Sequence, residues 1–268
     1  MPEDREALAT VEVVDADGAR RDQVIVEAPL EIRIGGKPAT VLMRTPGDDL
    51  ELVRGFLYGE DLIPDVDAIV ALERPPGLVG DELGNVLDVT LSPSVARALP
   101  ERLFYSSSSC GVCGKRSIAQ LAVRAGATRP GSFEVRRPLV QSLPDRLRAA
   151  QPLFTATGGV HAAALFDEAG LLVAVREDVG RHNAVDKLVG WALAEGRLPL
   201  QDLGLVVSGR VSYEILQKAI AAGLPLVAAV GAPSSLAIDL AEQFDVTLVG
   251  FLRAGSLNVY AGRRRIAP

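Results

Sequence analysis

Cysteine and histidine are scarce in this chain: 268 residues contain two of each. Two cysteines cannot form a disulfide scaffold in a chain of this length. Because they are near neighbours, a bridge between them would close only a tiny loop and add little stability. An excess of positive charge is missing as well, since the formal net charge is −6, so no sequence-wide basic field draws the chain to nucleic acid or to an anionic membrane. No apolar run reaches the roughly 18–20 residues that span a bilayer. The first ten residues carry Glu3, Asp4 and Glu6 and lack the basic start and apolar stretch of a signal peptide. These absences point to a cytoplasmic protein with reduced thiols. What remains is ordinary globular composition, 48% hydrophobic and 23% charged, with enough chain for one large domain or two modest ones.

The pattern along the chain divides it into four parts. Residues 1–10 read as a frayed tail. Residues 11–99 read as a small α+β domain. It has strands at Val24–Val26 and Leu30–Ile34 separated by Pro29, a Gly35-Gly36 turn into Ala39–Met43, and a helix after Thr45-Pro46-Gly47-Asp48 carrying Leu50, Val53, Phe56 and Leu57. Strands at Ala68–Leu72 and Asn85–Leu91 complete it. Residues 100–132 are dominated by small residues around four consecutive serines, Ser106 to Ser109, and read as a mobile surface loop with a helix starting near Lys115. From residue 133 the pattern is regular. Helices are expected at Leu139–Ala150, Arg181–Ala194, Ser212–Ala222 and Ser234–Phe244. Strands are expected at Gly159–Phe166, Leu171–Arg176, Leu203–Val207, Leu226–Val230 and Val246–Leu252. Apolar strands alternating with helices imply an α/β sheet covered on both faces. The order resembles the cytidine deaminase-like three-layer α/β/α fold, a fold analogy that fixes no activity.

The cysteines fall in the loop, as Ser109-Cys110-Gly111-Val112-Cys113-Gly114. Such a pair serves as a redox dithiol, half of a zinc site, or a nucleophilic thiol with a helper, and each use requires a thiolate. Lys115 and Arg116 follow directly and favour that ionised form. A zinc centre needs about four ligands, and the only histidines, His161 and His182, lie far away in sequence at the wrong spacing. Dithiols of the thioredoxin type follow a strand and open a helix, which a serine-rich loop does not match. Thiol-transfer chemistry fits an exposed cysteine with glycines beside it.

Longer motifs carry a resemblance. They are Ser108 to Gly114, Thr157-Gly158-Gly159-Val160-His161-Ala162, Glu177 through Lys187, Ser208-Gly209-Arg210-Val211-Ser212-Tyr213-Glu214, Ala232-Pro233-Ser234-Ser235-Leu236-Ala237, and Gly250 to Arg253 with Asn258-Val259-Tyr260. Together they resemble the formate dehydrogenase accessory sulfurtransferases, the FdhD/NarQ family, over nearly the whole chain. The resemblance implies a sulfur carrier. It would take persulfide sulfur from a cysteine desulfurase and pass it to the bis-molybdopterin guanine dinucleotide form of the molybdenum cofactor, for use by formate dehydrogenase. Cys110 would carry the persulfide and Cys113 would assist. Relatives suggest a homodimer. Two other readings stay open: a cofactor chaperone without sulfur chemistry, and a dithiol redox protein.

The remaining motifs suit a phosphorylated ligand. Gly180-Arg181-His182 and Ser208-Gly209-Arg210 each follow a strand and open a helix. Free N–H groups there, with Arg181 and Arg210, favour phosphate oxygens. Guanine nucleotide would then act as a partial mimic of the cofactor. Deaminases of similar topology place zinc ligands at these two helix starts; the second start has no cysteine, so no zinc is expected. His161 and His182 are candidate acid–base groups, although structural histidines are common beside apolar strands. Ser234 or Ser235 reads as a helix N-cap as well as a ligand contact. Phe251, Leu252, Arg253 and Asn258 close the expected cofactor site.

Overall fold

A computed structural model describes residues 6–16, 18–99 and 133–268, so Cys110, Cys113 and the helix expected near Lys115 lie outside the described residues. The chain begins with a hairpin, β1 (Leu8–Asp15) and β2 (Gly18–Ile25), paired antiparallel from Leu8↔Ile25 to Asp15↔Gly18. The tail expected over residues 1–10 therefore enters a strand at Leu8. Its signal was hidden because β2 is almost wholly exposed, and its arginines and aspartate erase the apolar alternation that marks a half-buried strand.

Next come β3 (Ala28–Ile34), β4 (Lys37–Arg44), α1 (Asp49–Gly59), β5 (Ile69–Glu73), β6 (Val86–Leu91) and α2 (Pro93–Ala98). The four strands form a sheet in the order β4-β3-β6-β5, with β3 and β6 parallel. Ala28, Leu30, Ile32 and Ile34 alternate into the core with a period of two. Pro29 does not break β3, because β6 begins to pair only at Glu31. Arg44, fully buried, donates to both carboxylate oxygens of Asp49 at 2.8 and 3.0 Å and to the carbonyls of Ala28 and Gly84. A buried guanidinium is tolerated only with such pairing. It fixes the turn that starts α1.

The rest of the chain runs β7 (Val135–Arg136), α3 (Arg137–Ala149), α4 (Pro152–Thr157), β8 (His161–Phe166), β9 (Leu172–Asp178), α5 (Arg181–Ala194), β10 (Gly204–Val207), α6 (Tyr213–Ala221), β11 (Leu226–Ala229), α7 (Ser235–Gln243), β12 (Thr247–Arg253), β13 (Ser256–Ala261) and β14 (Ile266–Ala267). Six of these strands build one sheet in the order β13-β12-β11-β10-β8-β9. Strands β10, β11 and β12 are parallel, and β8 and β13 run against them. Ala162, Ala164, Phe166, Val206, Ala228 and Val249 face α3 on one side. Ala163, Leu165, Leu205, Val207, Val227 and Leu248 face the opposite side, where α5 and α6 bury Val185, Leu188, Ile215 and Leu216. The expected mixed α/β layering is present. The hairpin partner β13 was not anticipated, because its run Ser256-Leu257-Asn258-Val259-Tyr260-Ala261 is short and uncharged and follows a strand directly.

The apolar cluster on the second face continues through α1 into the four-stranded sheet. Helices α1 and α5 meet there backbone to backbone. A Cβ built on Gly55 would lie 1.8 Å from the carbonyl oxygen of Asp186, and one on Gly190 would lie 1.8 Å from that of Glu51. Glycine is required at both positions by proximity. Around this crossing Arg176 grips Glu51 through Nε at 2.6 Å and Nη2 at 2.7 Å, and the Tyr58 hydroxyl donates to the Ala221 carbonyl at 3.0 Å.

Replacing a helical glycine by alanine ordinarily stabilises by roughly 0.5–1 kcal/mol. At Gly55 or Gly190 the overlap reverses the sign. Gly55→Ala and Gly190→Ala are each expected to cost about 1–3 kcal/mol and to lower the thermal unfolding midpoint by at least about 3 °C. Unchanged or raised midpoints in calorimetry would show that the helices do not meet in this way.

Candidate functional site

Strands β9, β10, β11 and β12 point the same way, so their C-terminal ends share one edge of the sheet with the start of the antiparallel β8. Open α/β sheets bind ligands at this edge. Two loops and the end of β12 are packed closely there at three glycines. A Cβ on Gly231 would stand 2.8 Å from the Gly209 carbonyl oxygen, and one on Gly250 would stand 2.7 Å from Pro233 and 3.3 Å from the Gly231 carbonyl oxygen. Backbone bonds follow the same path: Gly231 N–H donates to Gly209 O at 3.1 Å, and Phe251 N–H donates to Gly231 O at 3.0 Å. The result is a floor of backbone with functional side chains around it.

His161, Ser208, Gly209 and Arg181 meet on this floor. The Ser208 hydroxyl accepts from Ala162 N–H at 2.9 Å and lies 3.4 Å from His161 Nδ1. A Cβ on Gly209 would sit 3.3 Å from His161 Nδ1 and 3.6 Å from Arg181 Cδ. Arg181 opens α5, whose N-terminus has no capping side chain and no acidic residue in its first turn. Its Nε is buried and has no hydrogen-bond partner among the described residues. A buried guanidinium donor left open this way is poised for an anion.

His182 faces the start of α6. Its Nε2 lies 3.3 Å from Ser212 Oγ and 3.4 Å from Glu214 Oε2. Burial, then the charges of Arg181, Lys218 and His161, push this imidazole down to about 3. The Glu214 carboxylate does not outweigh them, so His182 is a neutral imidazole at neutral pH. Burial and Arg181 lower His161 in the same direction.

Most of the stretch from Glu177 to Lys187 is scaffold. The Glu177 carboxylate accepts from the N–H groups of Leu153 and Phe154 at 2.9 and 2.8 Å, capping α4. Asp178, fully buried, accepts from Thr45 N–H and Lys187 Nζ on one oxygen, at 3.2 and 2.9 Å, and from Gly180 N–H and Asn183 Nδ2 on the other, at 2.8 and 2.9 Å. Asn183 also donates to the Met43 carbonyl at 2.8 Å, and Lys187 to the Thr45 carbonyl at 3.1 Å. Asp186 pairs with Lys218 at 2.7 Å. The N-terminus of α5 is thereby tied to the chain between β4 and α1, leaving Arg181 and His182 turned to the crevice.

The other expected site residues separate. Gly180, Arg181, His182, Ser208 and Gly209 gather at the crevice, and Arg210 is exposed at its rim. Ser234 is the N-cap of α7, its hydroxyl accepting from Ala237 N–H at 3.3 Å. Phe251 stands at the rim, 41% exposed, with a left-handed φ of 50°. Leu252 is a correction: its side chain is 0% exposed, in the cluster beneath α3. The pairing with β13 shifts register between Gly250 and Arg253, and Phe251 leaves strand geometry, so Leu252 turns to the same side as Val249 and into the core. Arg253 is exposed at the β12–β13 turn, and Asn258 pairs with Gly250 but opens onto the outer edge. Sequence reasoning passed over Ser212 and Glu214 as partners of His182. Their signal was present, since both lie in the first turn of a helix that follows the Gly209 loop.

The sequence model of the FdhD/NarQ family matches residues 25–267. A protein from Streptomyces avermitilis described as "Sulfur carrier protein FdhD" is 53% identical over 262 residues, covering 94% of this chain and 92% of that one. A protein of the same description from Mycobacterium tuberculosis is 48% identical over 256 residues, covering 92% of each. Among solved structures, one described as a formate dehydrogenase accessory protein from Desulfotalea psychrophila superposes with a TM-score of 0.73 at 24% identity, covering 97% of this chain and 98% of that one, a likeness of fold.

The state of His182 sets a pH dependence. Its folded pKa, about 3, lies below the 6.5 of a free imidazole. The unfolded chain therefore binds the proton first, and stability is full above pH 6.5 and falls as pH drops toward 3. Between pH 7 and pH 5 this group alone should remove about 2 kcal/mol. His182→Gln should flatten the decline by that amount in urea titrations. Parallel pH profiles for the two proteins would show that the ring is protonated in the fold.

Proposed function

This chain belongs to the FdhD/NarQ family, and on that premise we propose that it is a cytoplasmic sulfur carrier that loads the molybdenum cofactor destined for formate dehydrogenase. The substrate is the bis-molybdopterin guanine dinucleotide form. The observation that carries the ligand half of this reading is the orphaned Nε of Arg181 beside a floor built from Gly209, Gly231 and Gly250. Phosphate oxygens satisfy that donor and the free N–H groups at the start of α5. The glycines let these segments pack closely, which sets the spacing of the side chains that surround the crevice. Arg210 at the rim supplies a second cation, and Phe251 an aromatic face for a purine or pterin ring. The neutral imidazoles of His161 and His182 accept or donate a hydrogen bond at a ring nitrogen without adding charge near the anion. The strand order, a hairpin beside three parallel strands, supports likeness to the cytidine deaminase-like fold.

The sulfur half rests on Cys110 and Cys113. The Cys110 thiolate attacks the outer sulfur of a cysteine desulfurase persulfide; that S–S bond breaks, the desulfurase thiolate leaves, and Cys110 becomes the persulfide. Attack by the Cys113 thiolate on the inner sulfur of Cys110 then releases sulfide to the cofactor. The two electrons come from the two cysteines, which end as a disulfide. The same reading takes the cysteine desulfurase and formate dehydrogenase as protein partners and a homodimer as the working form, with no role for nucleic acid, membrane or zinc.

After incubation with a cysteine desulfurase and cysteine, mass spectrometry should show a gain of one sulfur atom on the peptide containing Cys110, absent in Cys110→Ala. A Cys110→Ala, Cys113→Ala protein that still supports formate dehydrogenase activity would instead establish a chaperone without sulfur chemistry. A reversible internal disulfide with no persulfide would establish a dithiol redox protein. Independently, Arg181→Ala and Arg210→Ala should each weaken guanine nucleotide binding by about 10- to 100-fold, the worth of a charge-assisted hydrogen bond. Unchanged affinity in both would remove the crevice from the reading.

A further inference from the structure

The outer strand β13 borders a cavity of about 580 Å³. Four consecutive residues, Leu257, Asn258, Val259 and Tyr260, line it. Successive strand residues face opposite sides of a sheet, so a space that touches all four runs along the edge of the strand. That edge is free among the described residues, since β13 pairs only with β12. Arg137, at the start of α3, and Arg263 flank the groove. Both are exposed, and neither side chain has an ion pair or hydrogen bond among the described residues. Among the described residues no carboxylate lines the space.

Exposed strand edges are ordinarily protected by a proline, a bulge or a charged side chain on the strand itself. The run Ser256 to Ala261 contains no proline and no charge; its one irregularity is a register shift against β12 at Tyr260, which leaves Ser256 to Val259 without an edge-protecting device of their own. The arginines stand beside the strand, where they frame the groove and leave its backbone open. We propose that this groove is a docking site for an extended acidic segment of a partner protein, which adds to the sheet as a strand along β13 and places its carboxylates on Arg137 and Arg263. Backbone pairing supplies the register and the two guanidinium groups supply the selectivity. A second copy of this chain is disfavoured as occupant, because pairing of two β13 edges would bring like-charged arginines together. Free phosphate would satisfy the arginines and leave the strand edge unpaired.

The test uses the full chain and a labelled seven-residue peptide alternating glutamate and valine. Fluorescence anisotropy should show saturable binding, and the corresponding lysine–valine peptide should not bind. Hydrogen exchange should slow across residues 256–260 when the acidic peptide is added. The double variant Arg137→Glu, Arg263→Glu should lose at least about tenfold in affinity while its thermal unfolding midpoint is unchanged, both side chains being exposed. Peptides N-methylated at one or the other alternate set of residues should differ, one set losing at least about tenfold because its N–H groups face β13. Equal binding of the two methylated peptides, full displacement by inorganic phosphate at matched ionic strength, or a dimer that the charge reversal dissociates would each overturn the proposal. So would the absence of saturable binding.

Discussion

Two carbonyl oxygens pressed against two glycine α-carbons hold the halves of this protein together. Where α1 crosses α5, Gly55 receives the carbonyl of Asp186 and Gly190 receives that of Glu51. No side chain separates the helices at those points, so the distance between the four-stranded and six-stranded sheets is set by backbone contact. Everything near the crevice depends on that distance. The link between β4 and α1 reaches α5 only because the helices are this close, and Asp178, Asn183 and Lys187 then lock it in place. Hydrogen bonds to a buried carboxylate are short-range and directional. A shift of an ångström at the helix crossing would leave Asp178 with unmet acceptors in a dry interior.

That dependence explains why a long motif yields so few ligand-facing groups. Between Glu177 and Lys187, one acidic residue caps a helix, one gathers four donors, and the asparagine and lysine bridge to the neighbouring loop. Only Arg181 and His182 remain turned to the crevice. Most of the stretch from Glu177 to Lys187 is thus a positioning device for one cation and one neutral ring.

The central elements were legible because their patterns were strong. Helix α5 was expected at Arg181–Ala194 and occupies those residues, and the strands β10, β11 and β12 lie within one or two residues of expectation. Buried strands of a parallel sheet read as short apolar runs bounded by turn residues, and here those bounds were Gly209, Gly223 and Pro225. The edges were less legible. Strand β2 is almost wholly exposed and β1 half so, and packing against a core does not write a pattern into them; β13 does alternate, with Leu257 and Val259 against the cluster under α3, but over only six residues. In the site, sequence could nominate residues at a helix start but could not say which way a strand residue turns. Leu252 was misplaced for that reason, and Glu214 was passed over because its nearness to His182 arises only when α5 and α6 pack together.

The backbone of Phe251 carries a consequence for how such a chain changes over time. A bulky residue at a φ of 50° holds about 1 kcal/mol or more of local strain, and glycine would relieve it. Drift toward a sturdier chain therefore favours losing this ring, while retention of the ring at the crevice rim demands a continuing advantage from what it touches. Position 251 is one where stability and recognition pull in opposite directions, and the residue found there reports which of them has prevailed.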